Sequence, residues 1–247
     1  MFVKQKVRRS LILISFFLFP VTIFYFSPYL IIIGGIGGII TGSFIMFAAQ
    51  FVLSIFLGRA FCGWVCPAGG AQDACAIANK KPLRSKKADW AKYFIWAPWV
   101  AGIALIFIRA GGVKGIDPLF GTEYGISVAR PEAYIIYIPI LALVVVPALF
   151  FRKRLFCHSI CWMAPFMVLG RKIGNLLRFP SLRLRADSKR CTACLSCDNA
   201  CPMSLPVSEM VARGDMENPE CVLCGECTSV CRCNAVRFGF GRRKTNR

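Results

Sequence analysis

Charge is what this sequence has least of: 17% of its 247 residues are Asp, Glu, Lys or Arg, against 56% hydrophobic residues. An ordinary soluble fold, with about a quarter of its residues charged, is excluded by that balance. The scarcity is also uneven. Between Ser10 and Leu57 no charged residue appears, whereas the stretch from Phe179 to Arg247 is polar, basic and rich in cysteine. Two regions in different solvents follow. Histidine is nearly missing, with His158 alone, which is too thin a signal to name as catalytic. No small-residue cleavage site follows the basic start and its long apolar run, so the N-terminal segment reads as a retained helix and not a signal peptide.

The apolar runs predict four crossings, at about 11–26 with Pro20 as a kink, 42–57, 90–108 and 133–151. Ser27-Pro28 and the glycine run at 34–38 supply turn chemistry for the first hairpin, or a short re-entrant segment that protein must cover. Pro98, Pro139 and Pro147 bend the last two spans. Trp90, Tyr93, Trp96, Trp99, Tyr134 and Tyr137 are headgroup anchors or inter-helix packing residues. Residues 161–177 mix apolar side chains with Arg171 and Lys172, as a helix along an anionic membrane surface does. Pro180 with Arg183, Arg185, Lys189 and Arg190 then reads as a basic linker.

The formal charge of +19 has the sign of a nucleic-acid binder, but its distribution follows membrane topology. Lys4, Lys6, Arg8, Arg9, Arg59, Lys80, Lys81, Arg84, Lys86, Lys87, Lys92, Arg152, Lys153, Arg154 and the C-terminal region fall on one side of the four-span arrangement. The opposite loop balances Arg109, Lys114 and Arg130 against Asp117, Glu123 and Glu132. This positive-inside pattern puts both termini in the cytoplasm of a multi-pass inner-membrane protein and removes the need for nucleic acid as a partner.

Of the 14 cysteines, most fall in regular clusters on the side expected to be reducing, where ligation is a better reading than a disulfide framework. Cys191, Cys194, Cys197 and Cys201-Pro202 form one C-x2-C-x2-C-x3-C run, and Cys221, Cys224, Cys227 and Cys231 form another. Such runs wrap three thiolates around a cubane and close the cage with a distant fourth. In the crossed two-cluster arrangement, one 4Fe–4S cluster takes Cys191, Cys194, Cys197 and Cys231, and the other takes Cys221, Cys224, Cys227 and Cys201. The segment resembles bacterial two-cluster ferredoxins. Arg232 stands where proline usually follows the last ligand, which points to a different turn there. It also leaves Cys231 and Cys233 as alternatives for the ligand, of which Cys231 keeps the x3 spacing. Zinc modules, the other use of C-x2-C pairs, have a different paired spacing.

Two further pairs follow the second and fourth spans in a shared frame, Arg-x-Phe-Cys-x3-Cys: Arg59 with Cys62 and Cys66, and Arg154 with Cys157 and Cys161. The repeat implies two similar helical hairpins. On one helix, positions i and i+4 share a face, so the units jointly supply four sulfurs for a third redox centre, a dithiol site or a metal. The arginines are expected to favour thiolate and to offset anionic charge. Burial as small apolar residues is the alternative, and isolated Cys75 reads that way. His158, between Cys157 and Cys161, is open to a structural role, a quinone headgroup contact or metal ligation.

Four spans, two Arg-x-Phe-Cys-x3-Cys motifs and a C-terminal pair of cubane runs together resemble the NapH family of membrane ferredoxin-type proteins, over nearly the whole chain. The resemblance implies an electron-transfer subunit of an oxidoreductase, similar to quinol dehydrogenases, with a redox partner protein and a quinone-type carrier. Related proteins act in copper reduction, usually with a further extracytoplasmic domain that is not seen here. In this chain proline follows Cys66 directly, but Trp162-Met163-Ala164-Pro165 follows Cys161, so the two halves are not fully equivalent.

The expected fold is an all-α transmembrane bundle of four helices in two hairpin repeats (residues 1–178), carrying a small α+β ferredoxin-like domain (residues 179–247). The leading function is electron transfer between the clusters and a lipid-soluble carrier or partner subunit. A membrane reductase of a soft metal such as copper, using Cys62, Cys66, Cys157 and Cys161, and a redox-sensing or assembly factor are the alternatives.

Overall fold

The computed structural model describes residues 2–76, 78, 79, 81, 82, 88–151 and 153–243. Lys80, Arg84, Lys86, Lys87, Arg152 and residues 244–247, all assigned above to one membrane side, lie outside the described residues, as does the side chain of Lys4.

The first helix, α1 (Phe2–Phe17), breaks at Leu18 and resumes as α2 (Phe19–Thr22) and a 3-10 turn ending at Phe26. Pro20 has no N–H for the preceding turn, and the segments Gln5–Phe17 and Phe19–Phe26 meet at 61°. Ser27 then accepts from Leu30 N and starts α3 (Pro28–Ile36), with Pro28 preset for the first helical turn. The turn expected at Ser27-Pro28 is thus a helix start, and the glycine run closes that helix ahead of a short strand, β1 (Ile39–Thr41). Thr41 caps α4 (Gly42–Leu57) by accepting from Phe44 N. Two short helices follow, α5 (Ala60–Trp64) and α6 (Pro67–Cys75), and then the long α7 (Ala88–Arg109). The next strand, β2 (Gly115–Asp117), pairs in parallel with β1. After it come α8 (Tyr134–Phe150), the short α9 (Leu155–Ser159) and α10 (Ala164–Leu176).

Asp89–Arg109 and Pro131–Phe150 are long and apolar enough to cross a bilayer, and the bent N-terminal pair makes a third if it counts as one span. With 16 residues, α4 rises only about 24 Å, short of the ~30 Å of hydrocarbon. Four crossings were expected; among the described residues two or three helices have that length. On α7 and α8, Phe94, Ile108, Ile135 and Phe150 point outward and are largely exposed, as lipid-facing side chains are. Trp96 and Trp99 instead pack edge-on against Phe166, at ring-centroid distances of 5.3 and 5.9 Å. Trp90 stays exposed.

Close approach brings α10 against α4: a Cβ on Gly170 would lie 2.6 Å from Phe51 O, and one on Gly174 2.6 Å from Ile55 O. Arg171 points inward and gives Nε and Nη2 to Glu217 at 2.8 and 2.9 Å and Nη1 to Ser181 Oγ at 2.9 Å. The helix expected to lie along a membrane surface is therefore wedged between α4 and the C-terminal region, its arginine committed to a half-buried carboxylate.

The C-terminal region is framed by β3 (Ser181–Ala186), antiparallel to β4 (Val236–Gly241) with Leu184 opposite Phe238. Arg183 and Arg185, expected in a linker, belong to β3. Between the strands lie α11 (Ser196–Ala200), α12 (Val207–Ala212) and α13 (Glu226–Val230). Leu184, Met203, Met210, Val211, Val222 and Val236 form its core, and Cys62, Cys157 and Met167 from the membrane side pack into the same cluster.

Candidate iron–sulfur centres

The two cysteine loops of the C-terminal region share one backbone. Ala193 and Leu195 take φ of 52° and 57° after Cys191; Leu223 and Gly225 take 50° and 75° after Cys221. Three residues past the fourth cysteine of each run, Ser204 and Asn234 take 51° and 53°. Left-handed residues at these spacings curl the chain so that successive sulfurs and N–H groups face a common centre. Arg232 does not alter the turn: the second run closes as the first does.

Two apolar cavities result. One, of about 380 Å³, gathers Cys201 with Cys221, Cys224 and Cys227 under Leu184 and Met210. The other, of about 350 Å³, gathers Cys191, Cys194 and Cys197 with Cys231 and Cys233. Both Cys231 and Cys233 reach the second cavity, their sulfurs 3.5 Å apart, and Ala235 N donates to Cys231 Sγ at 3.2 Å. Backbone N–H groups also face sulfur elsewhere: those of Leu205 and Met203 at Cys201, of Leu223 at Cys221, and of Glu226 at Cys224. Burial pushes the Cys221 thiol up to about 11 and the Cys224 thiol up to about 12, with Cys201 adding to both. A metal centre bound there would take the place of the thiol proton, which would leave to solvent. Cys194, by contrast, is exposed, and hydrogen bonding with Ser196 holds its thiol below the ordinary value.

The membrane-side pairs also converge. The α5 segment ends with both Val65 N and Cys66 N donating to Phe61 O at 2.9 Å; after α9, Ile160 N and Cys161 N both donate to Phe156 O at 3.0 Å. The expected i, i+4 face is not how the pairs present themselves. Each helix stops before its second cysteine, and in the first unit Pro67 at the start of α6 holds Cys66 in extended backbone. In the second unit Trp162 and Met163 come between Cys161 and α10, so the repeat is preserved through the closing hydrogen bonds and lost after them.

Cys62, Cys66, Cys157 and Cys161 interact electrostatically with one another. Burial raises the Cys66 thiol well above its ordinary value and pushes Cys161 up to about 12. For Cys157 burial outweighs the lowering by Arg154, so the arginines do not yield free thiolates as expected. Hydrogen-bond donors are nevertheless aimed at these sulfurs: Gln72 Nε2 at Cys157 (3.1 Å), Gly69 N at Cys66 and Met163 N at Cys161. Arg59, whose charge acts on Cys62 and Cys157, keeps Nε and Nη2 buried without a partner. A quartet of sulfurs with unpartnered guanidinium donors beside it fits an anionic thiolate-held group. Cys75 is buried and stands apart from this set.

Among the described residues, three ligand atoms come within 4.8 Å of one another at Asp89, His158 and Glu220, and at no cysteine set. At the Asp89 group, Glu220 is already held by Lys92 Nζ at 2.5 Å and Arg59 Nη1 at 2.8 Å. His158 is buried, pairs through Nδ1 with Asp89 Oδ1, and leaves Nε2 without a partner.

The sequence reading missed the carboxylates that join the two regions. Glu220 binds Arg59 and Lys92; Glu226 binds Arg8 at 2.6 Å and Arg9 at 3.1 Å; Glu217 binds Arg171 at 2.8 Å and Arg183 at 2.9 Å. Asp73 joins Arg8 to Arg154 at 3.1 and 2.8 Å. Their rarity in so basic a chain was the available signal. Trp64 Nε1 donates to Leu223 O at 3.0 Å and Gln5 Nε2 to Cys224 O at 3.0 Å, while a Cβ on Gly63 would lie 2.3 Å from Val222 O. The Cys62 helix thus lies directly against the Cys221–Cys227 loop.

Comparison with known proteins gives the class. A family described as a 4Fe-4S binding domain matches residues 39–85 and 133–180, the two units with the membrane-side pairs, and a 4Fe-4S dicluster domain matches residues 183–232. The chain is 26% identical over 217 residues to MJ0749 of Methanocaldococcus jannaschii, covering 86% of this chain and 77% of that protein. Protein RdxA of Cereibacter sphaeroides is 23% identical over 256 residues, covering 92% of this chain and 50% of RdxA. Ferredoxin-type protein NapH of Haemophilus influenzae is 23% identical over 190 residues, covering 73% of this chain and 62% of NapH. No solved structure matches. The molecule is an iron–sulfur electron transport protein with 4Fe–4S clusters and membrane-capable helices. Its relatives and its two matched domains support a NapH-type ferredoxin family.

Proposed function

We propose that the chain carries electrons between a soluble redox protein and a quinone-type carrier in the membrane, through three cysteine-held centres in series. Cys191, Cys194, Cys197 and Cys231 hold the outermost, with Cys233 as a neighbour. Cys201, Cys221, Cys224 and Cys227 hold the middle one, and Cys62, Cys66, Cys157 and Cys161 hold the innermost. Bound 4Fe–4S clusters supply one-electron chemistry over a wide range of potentials. The chain's residues fix the centres, shield them from water and carry compensating charge.

The observation that carries this reading is the shared core: Cys62 and Cys157 pack in one apolar cluster with Cys201, Cys224 and Cys227. On the far side of the innermost quartet an apolar cleft of about 510 Å³ is lined by Cys66, Cys161, Phe19, Phe26, Val144 and Trp162. A ring-shaped lipid-soluble carrier seated there would touch one cysteine of each motif. In this reading residues 1–178 form the membrane unit and 179–247 the cluster unit. The shorter α4 completes four crossings of the inner membrane, and both termini lie in the cytoplasm, where the basic segments gather.

The test is the double variant Cys62→Ser/Cys157→Ser, purified anaerobically. Iron and sulfide should fall by about a third, the two ferredoxin-type EPR signals should persist, and cluster oxidation by a quinone analogue should stop. Unchanged iron content and unchanged quinone-linked turnover would remove the innermost centre from the account.

A further inference from the structure

Three carboxylates of the cluster unit gather at its junction with the membrane helices. Glu217, Glu220 and Glu226 are all committed to arginines and a lysine at the junction. The opposite face, around Cys191–Cys197, is left basic. Lys189, Arg190, Arg232 and Arg237 are exposed there; Lys189 and Arg190 lead directly into Cys191, Arg232 follows Cys231, and Arg237 lies on β4. Arg237 Nε donates to Asn234 O at 3.1 Å, which holds it over the closing turn of the second run. Arg232 occupies the place where the ferredoxin pattern has proline and points its charge outward from between Cys231 and Cys233. Among the described acids nearby, Asp187 is paired with Arg190 at 3.0 Å, Asp198 accepts from Ser208 N and Oγ at 2.7 and 2.6 Å, and Glu209, exposed on the neighbouring α12, is the third, against the four basic side chains. At the centre of this rim Cys194 is exposed, beside Leu195 at 53% exposure. Every other quartet named above contains a fully buried cysteine; this one opens to solvent.

We propose that this face is the docking surface for a soluble one-electron carrier protein whose own redox centre is rimmed by carboxylates. The inference rests on the reading that the Cys191, Cys194, Cys197 and Cys231 set holds a cluster. Complementary charge around two exposed centres steers encounter and orients the partners, and a small apolar contact at Leu195 excludes water between them. The step moves one electron from the partner's centre to the outermost centre or back: one is oxidised as the other is reduced, and no bond or proton changes place. An anionic lipid surface would satisfy the same charges, but it would cover an exposed redox centre with a layer that carries no electron.

The experiment uses the full chain in nanodiscs of neutral lipid, with a reduced acidic two-cluster ferredoxin as probe and cluster absorbance followed by stopped flow. The second-order rate constant should fall steeply with added salt. In Arg232→Glu/Arg237→Glu, and separately in Lys189→Glu/Arg237→Glu, it should drop at least about tenfold at low salt and lose its salt dependence. Reduction by photoreduced deazariboflavin, a small probe with no need of docking, should stay at the parent rate. If both variants keep the parent rate and salt slope with the acidic ferredoxin, the docking surface is wrong. It is equally wrong if discs containing phosphatidylglycerol block the parent and the variants relieve that block, since the face then belongs to the membrane. Failure of the underlying reading looks different: deazariboflavin would then bleach no cluster absorbance at this quartet even in the parent protein.

Discussion

At the first cysteine loop the left-handed positions are Ala193 and Leu195, and Cys194 reaches solvent; at the second they are Leu223 and Gly225, and Cys224 is buried. Backbone is held constant between the loops while the surroundings are exchanged. Convergence of sulfurs fixes the first, and what lies against each loop fixes the second. Against the second loop lie Trp64, Gly63 and Gln5 from the membrane side. On the proposed path this asymmetry would leave one centre open to a partner and its twin insulated against the membrane-side cysteines.

Ion pairs give the largest expected contrast between the halves. Glu220→Ala leaves Arg59 and Lys92, whose side chains are 2% and 0% exposed, without their carboxylate, and should cost about 3–5 kcal/mol. On the open half, Asp187→Ala removes a pair exposed at 56% and 43% and should cost less than about 1 kcal/mol. Thermal unfolding of the anaerobic protein, read from cluster absorbance, measures both. Equal losses would mean that the two halves are equally docked.

Gly63→Ala comes next. Its new Cβ would sit 2.3 Å from Val222 O, a backbone atom with no rotamer to move, so the Cys62 helix must shift at a cost of about 1–3 kcal/mol. Ferredoxin-type EPR signals should persist while electron transfer from the middle centre toward the membrane slows. A variant that transfers at the parent rate would show that this contact is not on the path.

The cysteine spacing, the two long spans near 90–108 and 133–151 and the kink at Pro20 were legible because each is a local pattern with a period or a chemical signature of its own. The duplicated Arg-x-Phe-Cys-x3-Cys frame was legible as a repeat, but not its form: Pro67 ends the helix before Cys66, which a count of i, i+4 spacing ignores. The junction was invisible. Arg59 meets Glu220 and Arg8 meets Glu226 across most of the chain, and no spacing rule pairs residues so far apart. Arg171 was misread for the same reason, since an arginine on an amphipathic helix suits a lipid surface until its partner Glu217 is known.

Leu195 offers the smallest and cleanest test of the shared backbone. It holds φ of 57° with a side chain, a conformation costing about 1–2 kcal/mol, where the second loop has Gly225 at 75°. Leu195→Gly releases that strain and gives back about 0.5–1 kcal/mol through the greater freedom of glycine in the unfolded chain, for a net gain of about 0.5–1 kcal/mol. The reciprocal change, Gly225→Ala, both introduces the strain and drives a Cβ to 2.5 Å from the Phe238 ring, so it should destabilise. Unfolding midpoints that move in opposite directions tie the two turns to one geometry; midpoints that both fall would mean that Leu195 is kept for its side chain, and the likeness of the loops would stop at their dihedral angles.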